Sequence, residues 1–107
     1  MISDTYLILS FIQKMIRTFA NREAERLWNG EASRRLPGDI QDRALRKLRQ
    51  LDAAVVLTDL SNPPSNRLER LRGDRAGQMS IRINGQWRIC FRWAAGEAHD
   101  VEIVDYH

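Results

Sequence analysis

The sequence predicts an α+β domain, with helices gathered in its N-terminal half and packed on an antiparallel sheet formed by its C-terminal half. Two patterns predict this: apolar residues recur at helical spacing in the first half, and after Pro63 and Pro64 they alternate with polar ones. A chain of 107 residues is long enough for one compact domain with its own core, and too short to divide comfortably into two.

Met15 opens a strand-like run, Ile16, Arg17, Thr18 and Phe19. Residues 1–14 are expected to be an extension upstream of the working start that contributes little to fold or function, leaving 15–107 as the domain. The apolar stretch over 6–12 is far shorter than the roughly 20 residues that span a bilayer. It also lacks the basic start and small-residue cleavage site of a signal peptide. Asn21 can cap a helix over 22–29, with Gly30 placed to end it and Ala24, Leu27 and Trp28 on one face. Residues 31–38, with Pro37 and Gly38, read as a loop. From Asp39 a longer helix runs to about Ala53, its apolar face made by Ile40, Ala44, Leu45, Leu48 and Leu51. Arg43, Arg46, Lys47 and Gln50 occupy the opposite side, as either a solvated face or a partner- or RNA-facing surface. Residues 55–60 suit a further short helix, and 61–65 break the chain because neither proline continues a helix interior.

Strands are predicted over 68–72, 79–83, 87–93 and 98–106, with turns at 73–77 and 94–96. The hairpin at Asn84 and Gly85 fixes which residues share a face. A two-residue turn would pair Arg82 with Trp87 and Ile81 with Arg88, mixing charge and core on both sides. A three-residue connection, Asn84 to Gln86, instead puts Met79, Ile81, Ile83, Trp87, Ile89, Phe91 and Trp93 on the buried face. Ser80, Arg82, Arg88, Cys90 and Arg92 then share the other. With Val101 and Ile103 of the last strand inward, Glu102 and Tyr106 join that polar face, which becomes an arginine-lined surface.

Lys and Arg total 17 against 14 acidic residues, a net charge of +3, and Lys14 and Lys47 are the only lysines. Arg suits bidentate contact with phosphate and stacking on bases, so the composition leans towards a nucleic-acid or other anionic partner. Cys90, the single cysteine, is expected to be a buried structural residue in a chain suited to the reducing cytoplasm. No Cys/His set has the spacing of a zinc site, and no phosphate-cradling glycine loop or nucleophilic triad is present. No metal and no cofactor are expected.

The stretch Asn66-Arg67-Leu68-Glu69-Arg70-Leu71-Arg72-Gly73-Asp74-Arg75-Ala76-Gly77 is followed by Ser80-Ile81-Arg82-Ile83, Trp87-Arg88-Ile89-Cys90-Phe91 and Val104-Asp105-Tyr106-His107. In that order these segments resemble the HigB toxins, the plasmid-maintenance killer branch of the RelE/ParE superfamily. The resemblance runs from about Met15 to His107. It implies a RelE-like domain of two N-terminal helices on an antiparallel sheet, and a ribosome-dependent, metal-independent endoribonuclease of the cytoplasm acting on mRNA. It also implies a co-encoded helix-turn-helix antitoxin, HigA, which binds the toxin and through which the complex reaches operator DNA. No membrane partner is implied.

RNA is cut without metal when its 2′-hydroxyl attacks the adjacent phosphorus, which requires stabilised charge on the phosphorane and two proton transfers. By the resemblance, Arg88 matches the family's catalytic arginine and Arg72 sits where many relatives carry lysine. Both are always charged, and are cast as phosphate clamps rather than proton donors. His107 matches the family's terminal histidine and takes proton transfer. Tyr106 could stack on a base or bond the phosphate, and Asp105 could orient a neighbour or simply close the sheet. Some relatives have histidine at the position of Glu69, for which an ion-pair role among Arg67, Arg70 and Arg72 is favoured over that of a base. Arg67, Arg70, Arg75, Arg82 and Arg92 are assigned to general RNA or ribosomal phosphate contact. Trp87 and Trp93 are expected in the core. Two other readings stay open: a ParE-like toxin that binds gyrase without cleavage, and a weak toxin serving mainly as antitoxin partner and co-repressor.

Overall fold

The computed structural model describes residues 15–106, so the expected extension and His107 lie outside the described residues. Two helices, α1 (Arg22–Trp28) and α2 (Gly38–Ala53), precede a four-stranded antiparallel sheet in the order β1 (Glu69–Arg70), β2 (Met79–Arg82), β3 (Trp87–Ala94) and β4 (Glu97–Asp105). Short 3₁₀ turns over Leu57–Ser61, Pro64–Asn66 and Gly73–Arg75 join the two halves and shape the loops. Among the described residues, no helix is long and apolar enough to cross a membrane.

The helical stripe and the strand alternation meet in one core. Ile40, Ala44, Leu48 and Leu51 of α2 are buried with Ala24 and Leu27 of α1 against Ile81, Ile89, Phe91, Val101 and Ile103 of the sheet. Trp28, Trp87 and Trp93 pack against this core as partly buried neighbours. The start of α2 has no side-chain cap. Gln41 donates through Nε2 to the Ser33 and Leu36 carbonyls at 2.8 and 3.0 Å, tying the preceding loop to the helix.

Asn21 is the N-cap of α1, accepting from the Ala24 N–H at 3.2 Å, and Gly30, at φ +83°, follows the helix end in the left-handed region. The same Asn21 side chain donates to the Ile103 carbonyl at 2.8 Å and accepts from its N–H at 3.4 Å, so one residue satisfies both a helix end and a strand edge.

Three elements differ from the sequence pattern. The run from Met15 is not a continuous strand: it makes two parallel bridges to β4, Ile16 with Ala98 and Phe19 with Val101. Between them Asp100 has φ 53° where the β3–β4 register shifts, a bulge that interrupts the ladder. β1 spans two residues rather than five, because pairing with β2 covers only Glu69 with Ser80 and Arg70 with Met79. The turn after α2 is 3₁₀, with the Asp59 carboxylate accepting from the Val55 and Val56 N–H groups at 2.9 and 3.1 Å.

Asp52, near the end of α2, fastens the N-terminal run by accepting from the Ile16 N–H at 3.1 Å. Burial pushes its carboxyl above the usual carboxylate range, against the opposing effect of the backbone N–H bonds from Ile16 and Met15. A raised carboxyl pKa in the folded state means that the fold binds this proton more tightly than the unfolded chain, so this contribution to stability grows as pH falls through the raised range. Asp52→Asn keeps an acceptor and removes the titration. The melting temperature of the wild type relative to Asp52→Asn is therefore expected to rise between neutral and mildly acidic pH, and a constant or falling difference would refute this assignment.

Candidate active site

The β2–β3 connection sets the geometry of the site. Asn84 Oδ1 accepts from the N–H groups of Gln86 and Trp87, both at 2.8 Å, closing a three-residue loop. The register that follows pairs Met79 with Phe91, Ser80 with Cys90, Ile81 with Ile89 and Arg82 with Arg88. β4 adds Glu102 beside Cys90 and Val104 beside Arg88, with Tyr106 next on that side. Both faces are therefore assigned as the alternation predicts.

The polar face is not the open surface that the alternation suggests. Ser80 and Cys90 are fully buried and Arg88 is 7% exposed. Residues 67–75 cover them: the Arg67 carbonyl and the Glu69 carboxylate both bond Arg88, and Arg75 reaches β4 to bond Glu102. Gly77, at φ +91°, lets the returning chain pass close to Arg92, where an added Cβ would stand 2.8 Å from Nη1. Burial pushes the Cys90 thiol up, as suits the structural role expected of it.

Arg88 is bonded on two of its three nitrogens. Nε donates to Ser80 Oγ at 2.8 Å, while Nη2 donates to the Arg67 carbonyl at 2.6 Å and lies 3.2 Å from Glu69 Oε1. The guanidinium carbon stands 5.5 Å from the centre of the Tyr106 ring. Arg67 presents its carbonyl from a left-handed backbone, φ 45°. Among the described residues no hydrogen bond from Nη1 is found. The arrangement holds a rigid cation, fixed through Nε and Nη2, with one face on an aromatic ring.

The other expected site residues divide. Tyr106, 41% exposed, shares the side of Arg88 and donates its N–H to the Gln86 carbonyl at 2.6 Å. Asp105 pairs with Trp87 on the alternate side of the strand and accepts from Gln86 Nε2 at 3.1 Å. Arg72 is exposed at the entry to the Gly73–Arg75 turn and makes no direct bond to Arg88. Arg67 and Arg70 are exposed, Arg82 lines a groove beside the hairpin, Arg75 bonds Glu102 and Gln78, and Arg92 lies 3.5 Å from Asp100. The bond to Glu102 also holds the Arg75 guanidinium pKa above its ordinary value. Glu69 does form an ion pair, but its partner is Arg88 rather than Arg67, Arg70 or Arg72, because β1 turns it to the side of Ser80 while Arg70 alternates away.

Sequence patterning passed over Ser80 and the Arg67 carbonyl as holders of Arg88. Ser80 was recoverable: once Arg82 is opposite Arg88, Ser80 is its diagonal neighbour two residues along. The Arg67 carbonyl was not, since its direction depends on a left-handed residue that carries no local signal.

The family model described as RelE-like toxin of type II toxin-antitoxin system HigB matches residues 17–107. Toxin HigB-1 of Vibrio cholerae is 40% identical over 85 residues, covering 78% of this chain and 90% of that protein. Endoribonuclease HigB of Proteus vulgaris is 31% identical over 93 residues, 87% of this chain and 100% of that protein. An uncharacterized protein of Haemophilus influenzae is 29% identical over 72 residues, 67% of this chain and 71% of that one. Two helices on a four-stranded antiparallel sheet are consistent with the small α+β toxins of the RelE type. The chain belongs to the HigB-like family of that class, the toxins of type II toxin-antitoxin systems, and an antitoxin is accordingly its partner.

Ser80→Ala removes the acceptor of a buried charged donor while leaving the chain direction intact. It is expected to lower stability by about 1–3 kcal/mol in urea unfolding, the cost of an unsatisfied buried donor. An unchanged midpoint would show that the Ser80–Arg88 bond does not hold the guanidinium.

Proposed function

We propose that this protein is a metal-independent endoribonuclease that cuts messenger RNA on the ribosome in the cytoplasm. In this reading a HigA-like helix-turn-helix antitoxin silences it, and it reaches operator DNA only within their complex. The name of the Proteus vulgaris relative supports the reaction class. The observation that carries the reading for this chain is the posture of Arg88: held by Ser80, Arg67 and Glu69, with no bond from Nη1 among the described residues.

Attack of a 2′-hydroxyl on the neighbouring phosphorus builds negative charge on the non-bridging oxygens, and the 5′-oxygen leaves as the cyclic phosphate forms. A guanidinium already fixed before substrate arrives stabilises that charge without reorganising. Arg72, exposed at the turn, is assigned a second phosphate contact. Tyr106 supports Arg88 through its ring and offers a surface for a base. His107, next to Tyr106 in the chain, is assigned the proton for the leaving oxygen, since imidazole titrates near neutral pH. Asp105, bonded to Gln86, acts as a positioning residue that holds the end of β4. Arg67 and Arg70 offer further phosphate contacts, whereas Arg75 and Arg92 share their charge with Glu102 and Asp100.

On ribosomes programmed with a defined message, the wild type is expected to produce in-frame cuts that require the ribosome. Arg88→Lys is expected to lower the cleavage rate about 100- to 1,000-fold, the cost of losing a fixed transition-state donor. Deleting His107 should also weaken cleavage, while both variants still bind the antitoxin. Undiminished cleavage by both would overturn the site, and intact message with folded wild type would overturn the reaction.

The fold is also proposed to be complete from Met15 onwards, because the Met15 carbonyl already accepts from the Ala98 N–H at 2.8 Å. A chain beginning at Met15 is expected to melt cooperatively and to inhibit growth like the full sequence. Loss of either property would return residues 1–14 to the working domain.

A further inference from the structure

A groove of about 440 Å³ lies beside the site, between α2 and the β2–β3 hairpin. Arg43, Arg46, Lys47 and Gln50 form its helical wall, Ser65 closes one end, and Arg82, Ile83 and Asn84 form the opposite wall. Four of these eight residues are cations and none is a carboxylate. The side chains of Arg46 and Arg82 have no hydrogen bond or ion pair among the described residues. Arg43 donates to the Ile83 carbonyl at 3.4 Å, joining the two walls, and Lys47 is fixed by donating to the buried Asn66. Burial and the charges of Arg43 and Arg46 hold the Lys47 ammonium below its ordinary value. That mutual repulsion is relieved when an anion enters.

The groove is tied to the site at two points of the chain. Arg82 is directly opposite Arg88 in the β2–β3 register. Asn66, which holds Lys47, immediately precedes Arg67, whose carbonyl holds Arg88.

We propose that this groove is a second phosphate-binding site, which takes the sugar-phosphate backbone of the message next to the linkage held at Arg88. The proposal rests on the RNA-cleaving reading above, and adds to it a strand-holding surface on α2 that takes no part in bond cleavage. Arginines free of carboxylates suit phosphodiesters by charge and by their forked donors, and one strand can present successive phosphates to the groove and to Arg88.

The test uses a single-stranded 2′-O-methyl oligoribonucleotide, which lacks the attacking hydroxyl and so reports binding alone. Fluorescence anisotropy would compare the full-length wild type, Arg46→Gln/Arg82→Gln, and a control of equal charge loss, Arg22→Gln/Arg34→Gln, drawn from a separate cavity near α1. The groove pair is expected to weaken binding about tenfold or more, and to reduce the salt slope by about 1.4, at about 0.7 per single-strand phosphate contact. The control pair should change neither. Equal losses in both pairs, no loss in the groove pair, or no binding by the wild type would overturn the proposal.

A second arm replaces the phosphates flanking the cleavage site of a ribosome-bound message with neutral methylphosphonates. If the groove holds the message, this abolishes the difference in KM between the wild type and the groove pair. A persisting difference would assign the groove to ribosomal RNA and overturn the proposal. Retained oligonucleotide binding with lost antitoxin binding would assign it to a protein partner, with the same consequence. Because oligonucleotide binding needs no cleavage, a failed ribosome assay would remove the enzymatic reading while leaving the groove to be judged on its own.

Discussion

Arg88 is the constraint around which the polar side of the sheet is organised. An ionised side chain taken this far from water is strongly destabilising unless its donors and charge are matched. Here a hydroxyl, a carbonyl, a carboxylate and an aromatic ring supply the match from three separate segments. The short β1, the left-handed Arg67 and the 3₁₀ turn at Gly73–Arg75 make sense as the route by which the chain reaches that guanidinium and then crosses to Glu102. A shielded cation bonded in this way is fixed in direction, which is the property required of a group meant to meet developing negative charge.

The sequence made one half of this legible and hid the other. Strand parity is a local property. With the loop length set by the need to keep charge off the core face, the β2–β3 pairing and the shared side of Arg88 and Tyr106 followed. Helical spacing likewise marked Ile40, Ala44, Leu48 and Leu51 as core. What could not be read depends on contacts between distant residues. The parallel docking of the Met15 run on β4 has no periodicity of its own, and the covering of Ser80 and Cys90 depends on where residues 67–75 fold back. The same limit applied to Glu69, whose nearest cations in sequence were not its partner in space.

Arginine clusters in this protein serve unlike ends according to their surroundings. Arg75 and Arg92 are tied to carboxylates, the first holding a loop to the sheet and the second joining β3 to β4. Arg46 and Arg82 lack such partners among the described residues and leave a positive field in a groove lined by no carboxylate. Counting basic residues would treat these as equivalent, although screening by a paired carboxylate leaves little attraction for an external anion.

Asn21 joins α1 to Ile103, 82 positions further along the chain. The N-terminal run and first helix therefore dock on the last strand to be synthesised among the described elements, and Tyr106 reaches Arg88 only when that strand is in place. Distant pairing of this kind raises contact order and holds back closure of the domain until both partners have been synthesised. A nascent chain still lacking β4 has neither its finished core nor the ring that backs Arg88, so the order of translation itself delays assembly of the site until that strand and Tyr106 have been made.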